Sequence, residues 1–270
     1  SARTARPMWD GGLRVGRVEA VVLGGLEGGA VLELAPGRRI GFAFEQGADG
    51  LVAQLQGRDQ PAFLIARSPL DDLGFGATGQ ASFALREALG GWGLTISAER
   101  GSAQAGARVR LADSASDRLP GVSATRIGVS LDRRFGALDA ALGASWLIER
   151  DSILGARFHR AFGGSGADSL FLDASAGWQL APQWRLGAAW RNGFTTPRAG
   201  GLISDGSRLV TSAWAIDAER RSLFAPGDAL ALRLAQSLRV ESGGLTLNVP
   251  VDWSYATLTP TYGRRLLALR

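Results

Sequence analysis

Between residues 168 and 192 apolar and small or polar side chains take turns along the chain. Leu170, Leu172, Ala174, Ala176, Trp178 and Leu180 make one face, and Phe171, Asp173, Ser175, Gly177 and Gln179 the other. After Ala181-Pro182-Gln183 the pattern restarts, with Trp184, Leu186, Ala188 and Trp190 against Arg185, Gly187, Ala189 and Arg191. A period of two predicts strands with unlike environments on their faces. The short Pro-containing link predicts an antiparallel hairpin. The first arm keeps its alternation across nearly all of 168–180. Ordinary strands run about 5–6 residues, whereas a tilted membrane-spanning strand needs roughly 9–11. Length is the reason to expect a transmembrane barrel.

Similar runs cover 81–86, 92–99, 107–111, 126–132, 138–149, 210–219, 230–235, 245–253 and 262–270. Gly90-Gly91, residues 133–137, residues 181–183 and Glu241-Ser242-Gly243-Gly244 read as tight turns. Residues 112–122, 152–167 and 193–207 read as long connections. Tight turns alternating with long loops is the habit of membrane barrels. Residues 1–75 are less regular. Short strand-like runs at 30–34, 39–44, 51–55 and 62–66 surround the Pro36-Gly37 turn, and 13–23 reads as a strand or a short helix. The expected division is an N-terminal β-rich segment, linker or set of early strands over 1–75, and a barrel domain over 76–270. The expected fold is all-β, an antiparallel up-and-down transmembrane β-barrel of roughly 10–14 strands.

The charges that fall on these strands share the face opposite the apolar one. They are Arg126, Asp132, Asp139, Glu149, Asp173, Arg185, Arg191, Asp217 and Arg233, and a barrel would turn them into its lumen, where both signs can pair. Arg on the lipid face would cost about 2–4 kcal/mol at mid-bilayer. Trp146, Trp178, Trp184, Trp190, Trp214 and Trp253 are the expected lipid-interface aromatics, with Trp178 and Trp184 flanking one turn. Other readings stand beside a barrel that serves an exported protein: a porin-like diffusion channel whose lumenal charges set selectivity, a structural outer-membrane protein, and a soluble β-rich binding module, a sandwich or solenoid whose strands also alternate.

Composition narrows the partners. The 30 basic residues, all Arg, face 25 acidic ones, and they are scattered in ones and twos rather than run together, so no nucleic-acid partner is expected. Cysteine is absent, which removes disulfides and thiolate metal sites. No apolar run is long enough for a helical span. Residues 1–10 hold two Arg and no apolar core of a signal peptide; the expectation is a chain that starts after processing or is a piece of a larger protein.

Candidate chemistry is thin. His159, the only histidine, lies between Arg157 and Arg160 in a loop end and reads as solvated rather than catalytic. Residues 163–167, GGSGA, miss the nucleophile elbow by one residue and lack its strand–turn–helix context. Asp71-Asp72 has no further ligands at a usable spacing for a cation. No catalytic residue, metal site or cofactor is expected within the chain.

Residues 228–269 resemble the C-terminal β-barrel region of autotransporter-like, subtilisin-family exported proteins of sphingomonads. The resemblance is carried by Leu232, Arg233, Gln236, Leu238, Arg239, Val240, Gly243, Gly244, Leu245, Leu247, Pro250, Val251, Tyr255, Ala256 and Thr257. It implies a bacterial outer-membrane domain that anchors or exports a passenger, with outer-membrane lipid and a passenger or another outer-membrane protein as partners. Subtilisin Asp, His and Ser motifs are missing, so the resemblance puts any protease upstream. Barrels of this kind usually finish on an aromatic residue. This chain stops at Leu269-Arg270, so the closing strands are expected to be missing.

Overall fold

A computed structural model describes residues 16–19, 28–44, 47–58, 75–105, 122–156, 162, 166–225 and 228–269. Among the described residues twelve strands and one helix follow one another: β1 (Gly16–Glu19), β2 (Gly28–Ala35), β3 (Arg38–Phe44), α1 (Ala48–Gln56), β4 (Phe75–Leu89), β5 (Trp92–Ala105), β6 (Val122–Phe135), β7 (Leu138–Glu149), β8 (Ala167–Ala181), β9 (Trp184–Pro197), β10 (Arg208–Arg221), β11 (Ala229–Ser254) and β12 (Thr259–Ala268). All strands lie in one sheet in sequence order, each antiparallel to the next. The fold is the expected all-β, up-and-down architecture. Among the described residues no pairing joins β12 back to β1.

The sheet curls. In a flat single layer both faces would be exposed, yet alternate residues of β5 to β10 are buried: Thr95, Ser97, Glu99, Arg126, Asp132, Ser145, Glu149, Asp173, Arg191, Thr211, Asp217 and Glu219. Their neighbours on the other face, including Ile96, Ile127, Leu131, Leu142, Leu172, Trp190, Phe194 and Ile216, are exposed. A sandwich would bury these apolar side chains under a second sheet, and among the described residues there is none. An exposed band of this extent is foreign to a monomeric soluble protein and suits a hydrocarbon surround.

The two ends of the wall differ. Two-residue turns join β4 to β5, β6 to β7 and β8 to β9. Gly90 and Gly91 both take positive φ, 56° and 91°, the backbone that two-residue hairpins need. Asp228 closes the slightly longer β10–β11 turn, accepting the amides of Leu223, Phe224 and Ala225 at 2.7–2.9 Å. Those amides, Phe224 foremost, hold its carboxyl below the usual range. Long connections sit at the opposite end.

Two expectations are corrected. Residues 51–55 are helical rather than extended, inside α1. Leu51 and Leu55 stand four apart, and both are completely buried against Ala43 and Ala84 of β3 and β4, so tertiary burial selects the helical period over the strand-like one. Residues 241–244 are not a turn, because β11 runs unbroken through them. At Gly243-Gly244 the strand leaves β10 and takes up β12, pairing Arg208 with Gly244 on one side and Ala268 with Gly244 on the other. A Cβ on Gly243 would strike the Arg208 carbonyl, and one on Gly244 the Leu267 carbonyl. Glycine is there for close backbone approach, and Gly243 also has φ 101°. With that turn gone, the runs expected at 230–235 and 245–253 are one strand. Within 1–75, residues 28–44 are early strands of the same sheet. Residues 62–66, 71–72, 107–111, 159 and 163–165 lie outside the described residues.

Leu142, 65% exposed at the middle of β7, gives a direct test. Leu142→Arg is expected to lower unfolding stability in lipid by about 2–4 kcal/mol, read by denaturant titration in bilayers. A loss within about 0.5 kcal/mol, the usual surface effect, would contradict an outer face that meets hydrocarbon.

Candidate functional site

The functional feature is α1 and the inner wall around it. One side of the helix is apolar and packs locally. Leu51 and Leu55, with Val52 beside them, pack on β3 and β4, where the inner face is made of small residues. A Cβ on Gly41 would strike the Leu51 side chain, so Gly41 makes the seat. Burying the two leucines contributes about 1.5–3 kcal/mol each.

The other side reaches across the interior by charge. Asp49, in the first turn, accepts hydrogen bonds from Arg126 of β6 and, at 3.1 Å, from Arg191 of β9. Arg191 is only 2% exposed. It also donates to both carboxylate oxygens of Asp173 on β8, at 2.6 and 3.1 Å, and lies over the Phe171 ring with its guanidinium 5.5 Å from the centroid. At the far end Arg58 donates to Asp139 of β7 at 2.8 Å and to Ser175 of β8 at 3.0 Å, while Gln56 donates to Ser130 of β6 at 3.0 Å. Arg185 of β9 shares Asp139 at 3.1 Å.

The helix ends are matched to their surroundings. Gly47 at the N-cap offers no side-chain cap. Instead the Ala48 N–H donates to the Glu99 carboxylate of β5 at 2.8 Å. At the other end Arg39 donates to the Leu55 carbonyl at 3.4 Å. An anion at the amide end and a cation at the carbonyl end both oppose the helix dipole. The cleft left between α1 and β5–β8 is about 40 Å³, lined among others by Asp49, Gln56, Arg58, Arg126, Ser145 and Asp173. It has room for a few water molecules.

A second closure lies at the long-loop end. Glu149, fully buried, accepts from Ser152 Oγ at 2.6 Å and from the amides of Leu154 and Gly155 at 2.8 and 2.7 Å. That folds Ile153 inward onto Ala167, Ile203, Leu209 and Leu245. Ile203 pairs with Leu247, and the Ser204 amide donates to the Thr246 carbonyl at 2.8 Å.

The nine charges expected in a lumen all sit on the inner face, in two sets. Arg126, Asp139, Asp173, Arg185 and Arg191 join the helix network. The others pair away from it: Asp132 with Arg86 at 2.6 Å, Arg233 with Asp217 at 3.4 Å, and Glu149 with its loop. Asp49, Arg58 and Glu99 were missed by sequence reasoning, because nothing local marks a helix that enters the interior. Of the expected interface aromatics, Trp146, Trp178, Trp184 and Trp190 are exposed on the outer face. Trp214 stands opposite Trp190 and is half-buried, its Nε1 donating to Gln236 at 3.1 Å. Trp253 lies on the stretch of β11 beyond β10, paired with Pro260 of β12. Trp92 and Phe135 were overlooked. They meet edge to face near the short turns, centroids 6.4 Å apart, with the Arg133 guanidinium 5.0 and 4.8 Å from their rings.

No protein-family model matches the chain, and no curated protein matches it. Among solved structures it is similar to OmpT (in-vitro folded), an outer membrane protein of Vibrio cholerae, with 10% sequence identity and a TM-score of 0.45. That alignment covers 90% of this chain and 60% of the other, so this chain spans about 60% of that protein's length. The likeness is distant and concerns fold alone.

Hydrogen bonds involving charged groups are worth about 1.5–3 kcal/mol each. Asp49→Asn is therefore expected to raise amide hydrogen exchange across 48–58 by ~10-fold or more, with β8 and β9 little changed. Unchanged protection of the helix would show that its leucines alone hold it.

Proposed function

We propose that this chain is a bacterial outer-membrane β-barrel whose interior is held closed by α1, and that it serves as the membrane anchor or translocator of an exported passenger. The observation that carries the reading is the helix tied at both ends to strands on the far side of the interior, with a cleft of only about 40 Å³ beside it. A diffusion channel needs a continuous wet path. Here polar contacts fill the middle and an apolar cluster fills the long-loop end. The resemblance of 228–269 to exported subtilisin-family barrels supports the passenger role, and the outward apolar band supports the membrane location. The work is physical: a paired sheet withstands hydrocarbon because its backbone groups are satisfied internally, and the occupied lumen prevents leakage.

Planar-bilayer recording tests the closed lumen. The unaltered chain is expected to insert without steady conductance. Replacing Asp49, Gln56 and Arg58 with Ala, which cuts α1 from β6–β9, is expected to produce discrete conducting steps. Steady conductance from the unaltered chain would favour the porin-like alternative. Display of a reporter joined ahead of residue 1 on the bacterial surface, measured by its protease accessibility, tests the anchor. A reporter that stays protected in intact cells would contradict it.

A further inference from the structure

We propose that Arg133 and Arg220 form two binding positions for the phosphate of anionic phospholipids, at the short-turn end of the wall. The inference rests on the membrane reading above and concerns the outer face, away from α1. Both arginines project outward, on strands whose other outward residues are mainly apolar. Each lies close to a short connection: Arg133 three residues before Gly136, and Arg220 two residues before Ser222.

Each is also built onto an aromatic platform. Arg133 is the cross-strand partner of Trp92, and its guanidinium lies 5.0 Å from that ring and 4.8 Å from Phe135. Arg220 is the cross-strand partner of Trp184, with its guanidinium 5.2 Å from the ring. Stacking of this kind stabilises the cation and fixes its plane. It leaves the in-plane N–H donors free, and those match phosphate oxygens in bidentate fashion.

The charge is not accounted for within the chain. Other strand arginines such as Arg86, Arg185 and Arg191 bond carboxylates. Neither Arg133 nor Arg220 has an ion-pair partner among the described residues, where the ion pairs are made by other arginines. An outward cation on a lipid-facing wall is tolerable at the headgroup level, where phosphates are the available anions. A fixed, ring-stacked guanidinium favours phosphate that stays in place over a passing counter-ion.

The test is native mass spectrometry of the whole chain, released from detergent micelles carrying equal amounts of phosphatidylglycerol and phosphatidylcholine. The unaltered protein is expected to retain phosphatidylglycerol preferentially. Retention should fall about five-fold or more in the R133Q/R220Q double variant and by about half in each single variant. Arg134→Gln, next along β6 but on the opposite face, should leave retention unchanged. If the double variant does not fold, the single variants and Arg133→Lys, which keeps the charge but loses the planar fork, decide the matter. Retention equal to the unaltered protein in a folded double variant would overturn the proposal. So would an equal loss in Arg134→Gln, which would indicate charge without a site, or full displacement of lipid by millimolar inorganic phosphate, which would indicate an ion site. Heat-modifiable gel migration separates the two readings. If the unaltered chain lacks it, the membrane reading fails; if migration is normal and retention is unaffected, only the lipid sites fail.

Discussion

Charge enclosed by a greasy-backed sheet has to be met by opposite charge or by hydrogen bonds. In this chain the wall's outer residues face the surroundings with Leu, Ile, Phe and Trp, so its ionised groups are turned inward, where little water reaches them. A buried carboxylate or guanidinium left single costs several kcal/mol. Arg191 shows the solution: it is shared between Asp173 on the neighbouring strand and Asp49 on the helix. The helix is thus part of the neutralisation of the wall, and the wall is the reason the helix stays inside.

That dependence explains features that otherwise look unrelated. Small inner residues on β3 and β4 leave space for Leu51 and Leu55. Larger ionised residues on β6 to β9 reach back across what remains. Glu99 takes the place of an N-cap that Gly47 cannot supply, so one carboxylate both ends a helix and belongs to a strand. The β3–β4 connection has to leave the sheet at Phe44 and return at Phe75, and its first part spends that length on filling the interior.

The wall was largely legible in the sequence and its contents were not. Strict alternation over 138–149, 168–180 and 210–219 marks β7, β8 and β10 to within two residues, because a strand with unlike faces must repeat every second residue; over 184–191 it marks the start of β9, which runs on to Pro197 through residues expected in a loop. Leu51-Val52-Ala53-Gln54-Leu55 fits a strand and a helix equally well; only burial of both leucines on the same wall decides between them. Glu241-Ser242-Gly243-Gly244 has the composition of a turn, yet the same glycines serve a strand squeezed between two carbonyls. Asp49 and Arg191 are 142 residues apart, and no local pattern announces such a pair. Trp92 and Phe135, each next to a turn glycine, did carry a readable signal: aromatics at the short-turn end of outward faces.

If the outer residues lie in hydrocarbon while the inner ones surround a charged interior, the surroundings of successive residues along one strand must alternate. The most direct measurement is nitroxide accessibility along β7 in reconstituted bilayers, made simple by a chain without native cysteine. Spin labels placed one at a time from 138 to 149 should collide freely with oxygen at Ala140, Leu142, Ala144 and Trp146. Collisions should be scarce at Ala141, Gly143, Ser145 and Leu147, a swing that repeats every second residue. Uniform accessibility along the strand, or oxygen contact strongest at the odd-numbered positions, would contradict it.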